Sequence, residues 1–278
     1  MKNAIFSTLG VVGVTIFVAV AMFFYLISSR SEGHYFDSEG VRLFYSDTGS
    51  GEPVILVHGL GVNGDWNWGL TGVSRELEKD FRVIIPDLRG HGLSDKPDSG
   101  DAYGTHMVED IVRLMDHLNI EKAHFAGFSL GGAIVLKLME EHPERVRTAA
   151  LCAIGWIEPS ADFVVPEPYR GINASGSTFA GMVHTVRRMI ARHTSRDVLN
   201  KIIMESMKDL AVSEEMLRQN KTDTLLMVGT EDGFYEIAGR LAERTANMKY
   251  VRVEGANHFT LVLREAFRKN IVRFFHGD

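Results

Sequence analysis

The chain has few of the residues that mark disulfide-rich, metal-binding or nucleic-acid-binding proteins. Cys152 is the single cysteine among 278 residues, so no disulfide can form within the chain. No group of histidines and cysteines has the spacing of a zinc site, and no glycine-rich phosphate loop is present. The net charge of -6 offers no basic surface to a polyanion. We therefore expect no metal, no cofactor and no nucleic-acid partner.

Charge is also absent near the start of the chain, where residues 4–27 contain no Asp, Glu, Lys, Arg or His. A helix of this length would measure about 36 Å, and the hydrocarbon core of a bilayer is roughly 30 Å thick. A cleaved signal peptide is the alternative, but its apolar core is usually shorter and ends in small residues, whereas this run ends in Phe23 to Ile27. We predict a single uncleaved transmembrane anchor within residues 1–30 and a membrane location. The few flanking charges do not indicate the side of the membrane.

The remainder, residues 31–278, has the length of one domain. Apolar, strand-like runs follow a predicted hairpin at residues 35–47, and they lie near residues 54–57, 82–86, 123–128, 148–154, 224–228 and 249–253. Helical patterns lie between most of them, including one at residues 105–118. This alternation predicts an α/β fold with a mostly parallel sheet covered by helices on both faces. The interval from about 156 to 222 breaks the alternation and predicts a helical cap insertion.

The pentapeptide Gly127-Phe128-Ser129-Leu130-Gly131 lies between a strand-like run and a helix-like run. A strand-to-helix turn of this kind is tight, and glycines two positions to either side leave room for it. The central serine hydroxyl is then exposed above the N-terminus of the following helix, whose free N–H groups favour negative charge. We predict that Ser129 is a nucleophile.

A nucleophilic serine needs a base and an acid that orients the base. His258 follows the strand-like run at residues 249–253, and Asp232 follows the run at residues 225–228. We predict His258 as the base and Asp232 as the acid, and Glu231 is the main competitor for the acid.

An oxyanion hole is predicted where the strand-like run at residues 53–57 ends in His58-Gly59-Leu60-Gly61. Glycines here let backbone N–H groups turn toward a bound oxygen, and we expect the donors to be the N–H of Leu60 and the N–H of Leu130, directly after the nucleophile. His58 is interpreted as a structural hydrogen-bonding residue.

These motifs, in the order Ser, Asp, His, resemble the α/β-hydrolase superfamily, in particular its lipase- and esterase-like members with a cap. The resemblance runs from about residue 35 to residue 275 and includes the loop at residues 86–95. It implies that Asp87 and His91 shape the loop and the pocket floor and are not part of the triad. A serine nucleophile argues against the branches of the superfamily that use aspartate.

Taken with the predicted anchor, the resemblance implies a membrane-anchored serine hydrolase that cleaves carboxylic esters of lipophilic substrates, such as monoacylglycerols or lysolipids. Relatives on this scaffold also hydrolyse a carbon–carbon bond in ring-cleavage dienoic acids, and this is the alternative enzyme. A second alternative is a non-catalytic small-molecule receptor. The sequence does not indicate an oligomeric state.

Overall fold

The strand-like runs form one sheet in the computed structural model, which describes residues 33–156, 158–159 and 207–277. Its strands are β1 (His34–Ser38), β2 (Val41–Gly49), β3 (Glu52–Val57), β4 (Phe81–Pro86), β5 (Ala123–Phe128), β6 (Val146–Cys152), β7 (Asp223–Gly229) and β8 (Met248–Val253). They lie in the order β1-β2-β4-β3-β5-β6-β7-β8. β1 and β2 pair antiparallel, and the strands from β4 to β8 in this order run parallel. The predicted mostly parallel sheet is confirmed.

The hairpin between β1 and β2 forms at the predicted position. Ser38 pairs with Val41, and the two residues between them, Glu39 and Gly40, both have positive φ, at 54° and 82°. A two-residue turn with both φ values positive matches the right-handed twist of the strands that it joins. The glycine therefore sits where such a turn requires it.

Helices cover both faces of the sheet, as predicted. They are α1 (Val73–Leu77), α2 (His106–His117), α3 (Leu130–Glu141), α4 (Glu214–Gln219), α5 (Tyr235–Arg244) and α6 (Glu265–His276). In β3 the side chains alternate between two buried clusters: Ile55 and Val57 pack with α2, α3 and α5, and Val54 and Leu56 pack with α1 and α6. A strand that is buried on both faces explains why its apolar run is continuous rather than alternating.

Two predicted segments lie largely outside the described residues. One is the anchor within residues 1–30, and the other is the cap, of which residues 160–206 are not described. In the part of the chain that is described, no helix combines the length and apolarity needed to cross a bilayer. The transmembrane helix and most of the cap therefore stay predictions.

Candidate active site

Ser129 occupies the turn between the end of β5 and the start of α3. Its backbone has φ 52° and ψ -117°, a conformation that is costly for a residue with a side chain. The turn is held from both sides, because the Ser129 N–H donates to the carbonyl of Cys152 at 2.8 Å and its carbonyl accepts from the N–H of Ala133 at 3.0 Å. The strained geometry places the serine side chain in a pocket at the carboxyl end of β5.

The glycines of the pentapeptide are required by close backbone packing. A Cβ atom at Gly127 would lie 2.3 Å from the carbonyl oxygen of Gly131, and one at Gly131 would lie 2.2 Å from the carbonyl oxygen of Val57. Neither backbone oxygen can move without disturbing a strand or a helix. The close contact of β5, α3 and β3 at this point therefore depends on both glycines.

The structure brings the three residues predicted as a triad together. His258 Nε2 lies 3.0 Å from the Ser129 hydroxyl, and His258 Nδ1 lies 3.0 Å from Oδ2 of Asp232. A neutral imidazole that donates its Nδ1 proton to Asp232 has its Nε2 lone pair free to accept the hydroxyl proton of Ser129. The arrangement suits proton transfer from the serine to the histidine.

Asp232, not its neighbour Glu231, faces the histidine. The Asp232 side chain has no exposed surface, and its Oδ1 accepts from the N–H of Phe234 at 2.9 Å. Glu231 is exposed, and its backbone N–H donates to the carbonyl of Ala256. The one-residue difference decides which carboxylate is buried.

Three aromatic rings surround the His258 imidazole. The ring centroids of Phe128, Phe234 and Phe259 lie 5.2, 5.4 and 5.7 Å from the imidazole centroid. His258 is only 8% exposed as a result. Apolar walls of this kind keep water from the hydrogen bonds between the histidine and its two partners, which strengthens them.

The two predicted oxyanion donors follow neighbouring strands. β3 and β5 are paired with Val57 opposite Gly127, so the residues that come after them lie side by side. Leu60 lines the pocket with Ser129. Leu130 is the first residue of α3, and the first N–H of a helix has no acceptor within its own helix.

His58 has both ring nitrogens in contact with the backbone. Its Nδ1 lies 2.8 Å from the carbonyl oxygen of Gly59, and its Nε2 accepts from the N–H of Leu88 at 3.0 Å. The ring is fully buried. His58 therefore joins the loop after β3 to the loop after β4, which agrees with the predicted hydrogen-bonding role.

Asp87 and His91 support the loop after β4. Asp87 Oδ1 accepts from the N–H of Gly64, and Oδ2 accepts from the N–H of Leu93. His91 Nδ1 contacts the carbonyl of Arg89 at 3.0 Å, and burial lowers the pKa of His91 from 6.5 to about 3. Neither side chain contacts the triad through these bonds.

A short π-helical turn at Asp65–Gly69 supplies pocket residues that the sequence analysis missed. Asn67 on this turn is 1% exposed, and its Oδ1 accepts from the N–H of Gly59 at 2.9 Å. The pocket is lined by Gly59, Leu60, Val62, Trp66, Asn67, Phe128, Ser129, His258, Phe259 and Val262. The sequence signal that could have indicated this pocket residue is an asparagine between two tryptophans soon after the glycine loop.

One cluster of metal-binding side-chain types occurs within the described ranges, at Glu109, Glu141 and His142, whose ligand atoms lie within 4.8 Å of one another. It is at the far end of α3 from Ser129. His142 already bonds to Glu109 at 2.8 Å, and Lys137 pairs with Glu141 at 3.2 Å. We assign no ion to this cluster.

Known proteins with similar sequences and structures include ring-cleavage hydrolases. The chain is 40% identical to 2-hydroxymuconate semialdehyde hydrolase of Pseudomonas sp. (strain CF600), over 45% of this chain and 44% of that protein. It is 33% identical to 2-hydroxy-6-oxo-6-phenylhexa-2,4-dienoate hydrolase of Comamonas testosteroni, over 55% of this chain and 54% of that protein. These matches span about half the length of the curated relatives. The structure of a meta-cleavage product hydrolase from Pseudomonas fluorescens IP01 superimposes with a TM-score of 0.75 at 26% identity, over 88% of this chain and 98% of the other.

These comparisons overturn the expected membrane lipase. The relatives named are hydrolases of ring-cleavage products and not monoacylglycerol or lysolipid lipases. The expectation was wrong because it took the substrate from the presumed location at a bilayer, and location says nothing about which bond the pocket breaks. The alternative, hydrolysis of a carbon–carbon bond, agrees better with the relatives.

The family itself is shown by a match that covers more than half of the chain. Residues 52–208 match the family described as alpha/beta hydrolase fold. The matched range includes β3, the turn at Ser129 and α3, which together form one side of the pocket. The sheet order, the strained serine and the hydrogen bonds of His258 all agree with this match, and the chain belongs to the α/β-hydrolase family.

Proposed function

We propose that this chain is a serine-dependent hydrolase that cleaves the carbon–carbon bond beside the ketone of a ring-cleavage dienoic acid. The observation that carries the proposal is the hydrogen-bonded series from Ser129 through His258 to Asp232, with distances of 3.0 and 3.0 Å. The similarity to ring-cleavage hydrolases supports the choice of substrate class.

In the first step, the Ser129 oxygen attacks the ketone carbon and His258 takes the hydroxyl proton. The buried Asp232 carboxylate stabilises the imidazolium that forms and holds the ring in the correct tautomer. The ketone oxygen becomes an oxyanion, which accepts hydrogen bonds from the N–H groups of Leu60 and Leu130.

In the second step, the carbonyl forms again and the bond to the neighbouring carbon of the diene breaks. The substrate reacts as its keto tautomer, in which the enol proton has moved to the carbon that leaves and this carbon is saturated. The electron pair of the breaking bond is then delocalised into the conjugated ketone, and His258 returns its proton to the released dienolate. The acyl group remains on Ser129 until a water molecule, deprotonated by His258, attacks it. The hydroxyl of water ends on the acid product, and its proton passes through His258 to the departing Ser129 oxygen, which restores the proton that the serine gave up in the first step.

The same residues can cleave an ester, because the two reactions differ mainly in the leaving group. The test is therefore a panel of purified substrates: a ring-cleavage dienoate, p-nitrophenyl esters of increasing chain length and a lactone. We expect kcat/KM to be highest for the dienoate, whose disappearance is followed by its absorbance. Ester turnover without dienoate turnover would contradict the assignment of carbon–carbon bond cleavage. The proposal that Ser129 is the nucleophile would then still hold.

A fluorophosphonate probe tests the serine chemistry separately. We expect it to label wild type and not Ser129→Ala, and we expect that variant to lose nearly all turnover while keeping the wild-type circular dichroism spectrum. A folded protein that binds small ligands without being labelled at Ser129 would favour the receptor alternative.

A further inference from the structure

The imidazole of His258 becomes positively charged when it takes the hydroxyl proton of Ser129. Both of its nitrogens are already in contact at the edge of the ring, because Nδ1 faces Oδ2 of Asp232 and Nε2 faces the Ser129 hydroxyl, each at 3.0 Å. Hydrogen bonds of this kind lie in the plane of the imidazole. The faces of the ring are therefore where other groups of the protein can still stabilise the charge.

Three phenyl rings pack around this imidazole within the range of a cation–π interaction. A cation within about 6 Å of a ring centroid is attracted by the electron-rich face of that ring. The centroids of Phe128, Phe234 and Phe259 lie 5.2, 5.4 and 5.7 Å from the imidazole centroid. The plane of Phe234 is tilted by 31° from the imidazole plane, against 52° for Phe128 and 82° for Phe259. Phe234 therefore comes closest to a face-to-face arrangement.

Phe234 is also tied to the triad through its backbone. Its N–H donates to Oδ1 of Asp232 at 2.9 Å, and its carbonyl accepts from the N–H of Ala238 at 2.8 Å at the start of α5. Phe128 and Phe259 line the pocket, whereas Phe234 is not among the described residues that do so. A change to the Phe234 ring can therefore alter the stability of the charge on the histidine without altering the contacts of a substrate.

We propose that Phe234 is a positioning residue whose phenyl face stabilises the His258 imidazolium and thereby speeds proton transfer from Ser129. The inference rests on the proposed function, because the imidazolium forms only if His258 acts as the base. The attraction acts on the charged ring of the transition state more than on the neutral ring that precedes it, so it lowers the barrier. Acyl transfer to the serine and the later attack by water both form the imidazolium, and both steps are accelerated.

The competing explanation is that Phe234 acts only by keeping water from the histidine. The two effects differ in how they depend on the electrons of the phenyl ring. Exclusion of water requires apolar surface, which any phenyl ring supplies, whereas the cation–π attraction requires negative charge on the face of the ring. Fluorine withdraws electrons from this face and changes the shape of the ring little. A series of fluorinated phenylalanines therefore separates the two explanations.

The experiment places monofluorinated, difluorinated and trifluorinated phenylalanine at position 234 of the full chain. The rates measured are fluorophosphonate labelling of Ser129 and hydrolysis of a p-nitrophenyl ester. We expect both rates to fall with each added fluorine and to be about threefold to tenfold lower with three. The fall in ester hydrolysis should lie in kcat and not in KM. Phe234→Leu, which keeps apolar cover but has no π face, should be about as slow as the trifluorinated protein.

Phe36 provides a matched control. Its ring lies 5.5 Å from the ring of the exposed His117, and the two planes are 26° apart, so it packs against a histidine outside the triad in nearly the same way. The same fluorinated residues at position 36 should leave both rates unchanged. Thermal unfolding identifies any protein in which fluorine disturbs the fold. Rates that do not depend on fluorination at position 234, or that fall equally at position 36, would overturn the proposal.

Labelling separates this proposal from the choice of substrate. It requires Ser129 and His258 but not the dienoate, so a graded fall in the labelling rate supports the role of Phe234 even if the chain hydrolyses only esters. A labelling rate that stays constant through the series overturns that role even if the dienoate is hydrolysed. The two proposals therefore fail separately.

Discussion

His91 should make the folded protein sensitive to acid. The ring is fully buried, contacts the Arg89 carbonyl, and lies 5.2 Å from the His58 ring, centroid to centroid. Burial lowers its pKa from 6.5 to about 3, since a charged imidazolium would lose its hydration there. Above pH 6.5 both the folded and the unfolded chain hold a neutral ring. Between that value and about pH 3, only the unfolded chain takes up the proton.

The size of the effect follows from the difference in proton uptake. Each pH unit over which only the unfolded state is protonated lowers the free energy of unfolding by about 1.4 kcal/mol. At about pH 5, which is about 1.5 units below the unfolded pKa, the loss is about 2 kcal/mol. The contribution is thus fully present above pH 6.5, falls as the pH falls, and stops changing below about pH 3. A loss of this size is a large part of the usual stability of a domain.

The measurement is denaturant unfolding at about pH 7.5 and about pH 5 for wild type and His91→Gln. Glutamine offers an N–H but cannot be protonated, so wild type should lose about 2 kcal/mol more than the variant between the two pH values. The other titrating groups contribute equally to the acid loss of both proteins, so their contribution cancels when the loss of the variant is subtracted from that of wild type. His34→Gln, at an exposed residue of β1, is the control and should behave as wild type. Equal acid losses in wild type and His91→Gln would refute the argument.

Three further predictions concern the triad, the turn and the N-terminus. Asp232→Asn should reduce turnover by several orders of magnitude and Glu231→Gln should reduce it little, as measured by kcat; the reverse order would show that the acid is misassigned. Gly127→Ala should lower the melting temperature and abolish phosphonate labelling, because the added Cβ would lie 2.3 Å from a backbone oxygen. The control is Gly239→Ala, where nothing lies within 4 Å of the added Cβ. This change should be neutral or should stabilise the fold by about 0.5–1 kcal/mol. Residues 4–27 should keep the full chain in the membrane pellet through an alkaline wash; release, or a mature N-terminus near residue 30, would contradict an uncleaved anchor.

The elements and the triad could be predicted because each has a local signature. Continuous apolar runs predict strands that are buried on both faces, and the carboxyl ends of parallel strands meet at one edge of the sheet. Ser129, Asp232 and His258 each follow such a run in the sequence. The parallel arrangement of the strands therefore brings the three residues to the same edge of the sheet. Their proximity could be predicted without knowing how side chains distant in the sequence pack together.

The pocket walls could not be predicted in the same way. Asn67 acquires its position from one hydrogen bond to Gly59, and Phe234 acquires its position from the turn that buries Asp232. These contacts depend on loop geometry that apolar periodicity does not report. The substrate class was mispredicted for a further reason: the Ser–His–Asp series is compatible with several leaving groups, and the sequence motifs do not distinguish among them.

The pairing of β3 with β5 has a consequence for how errors in folding would be detected. The register that sets Val57 opposite Gly127 joins segments about 70 residues apart in the chain, and it brings the glycine loop after β3 beside Ser129. A shift by one residue would exchange the two faces of the strand and move the loop away from the serine while leaving the secondary structure content nearly unchanged. Labelling of Ser129 therefore reports correct strand alignment, which spectroscopic measures of folding would not detect.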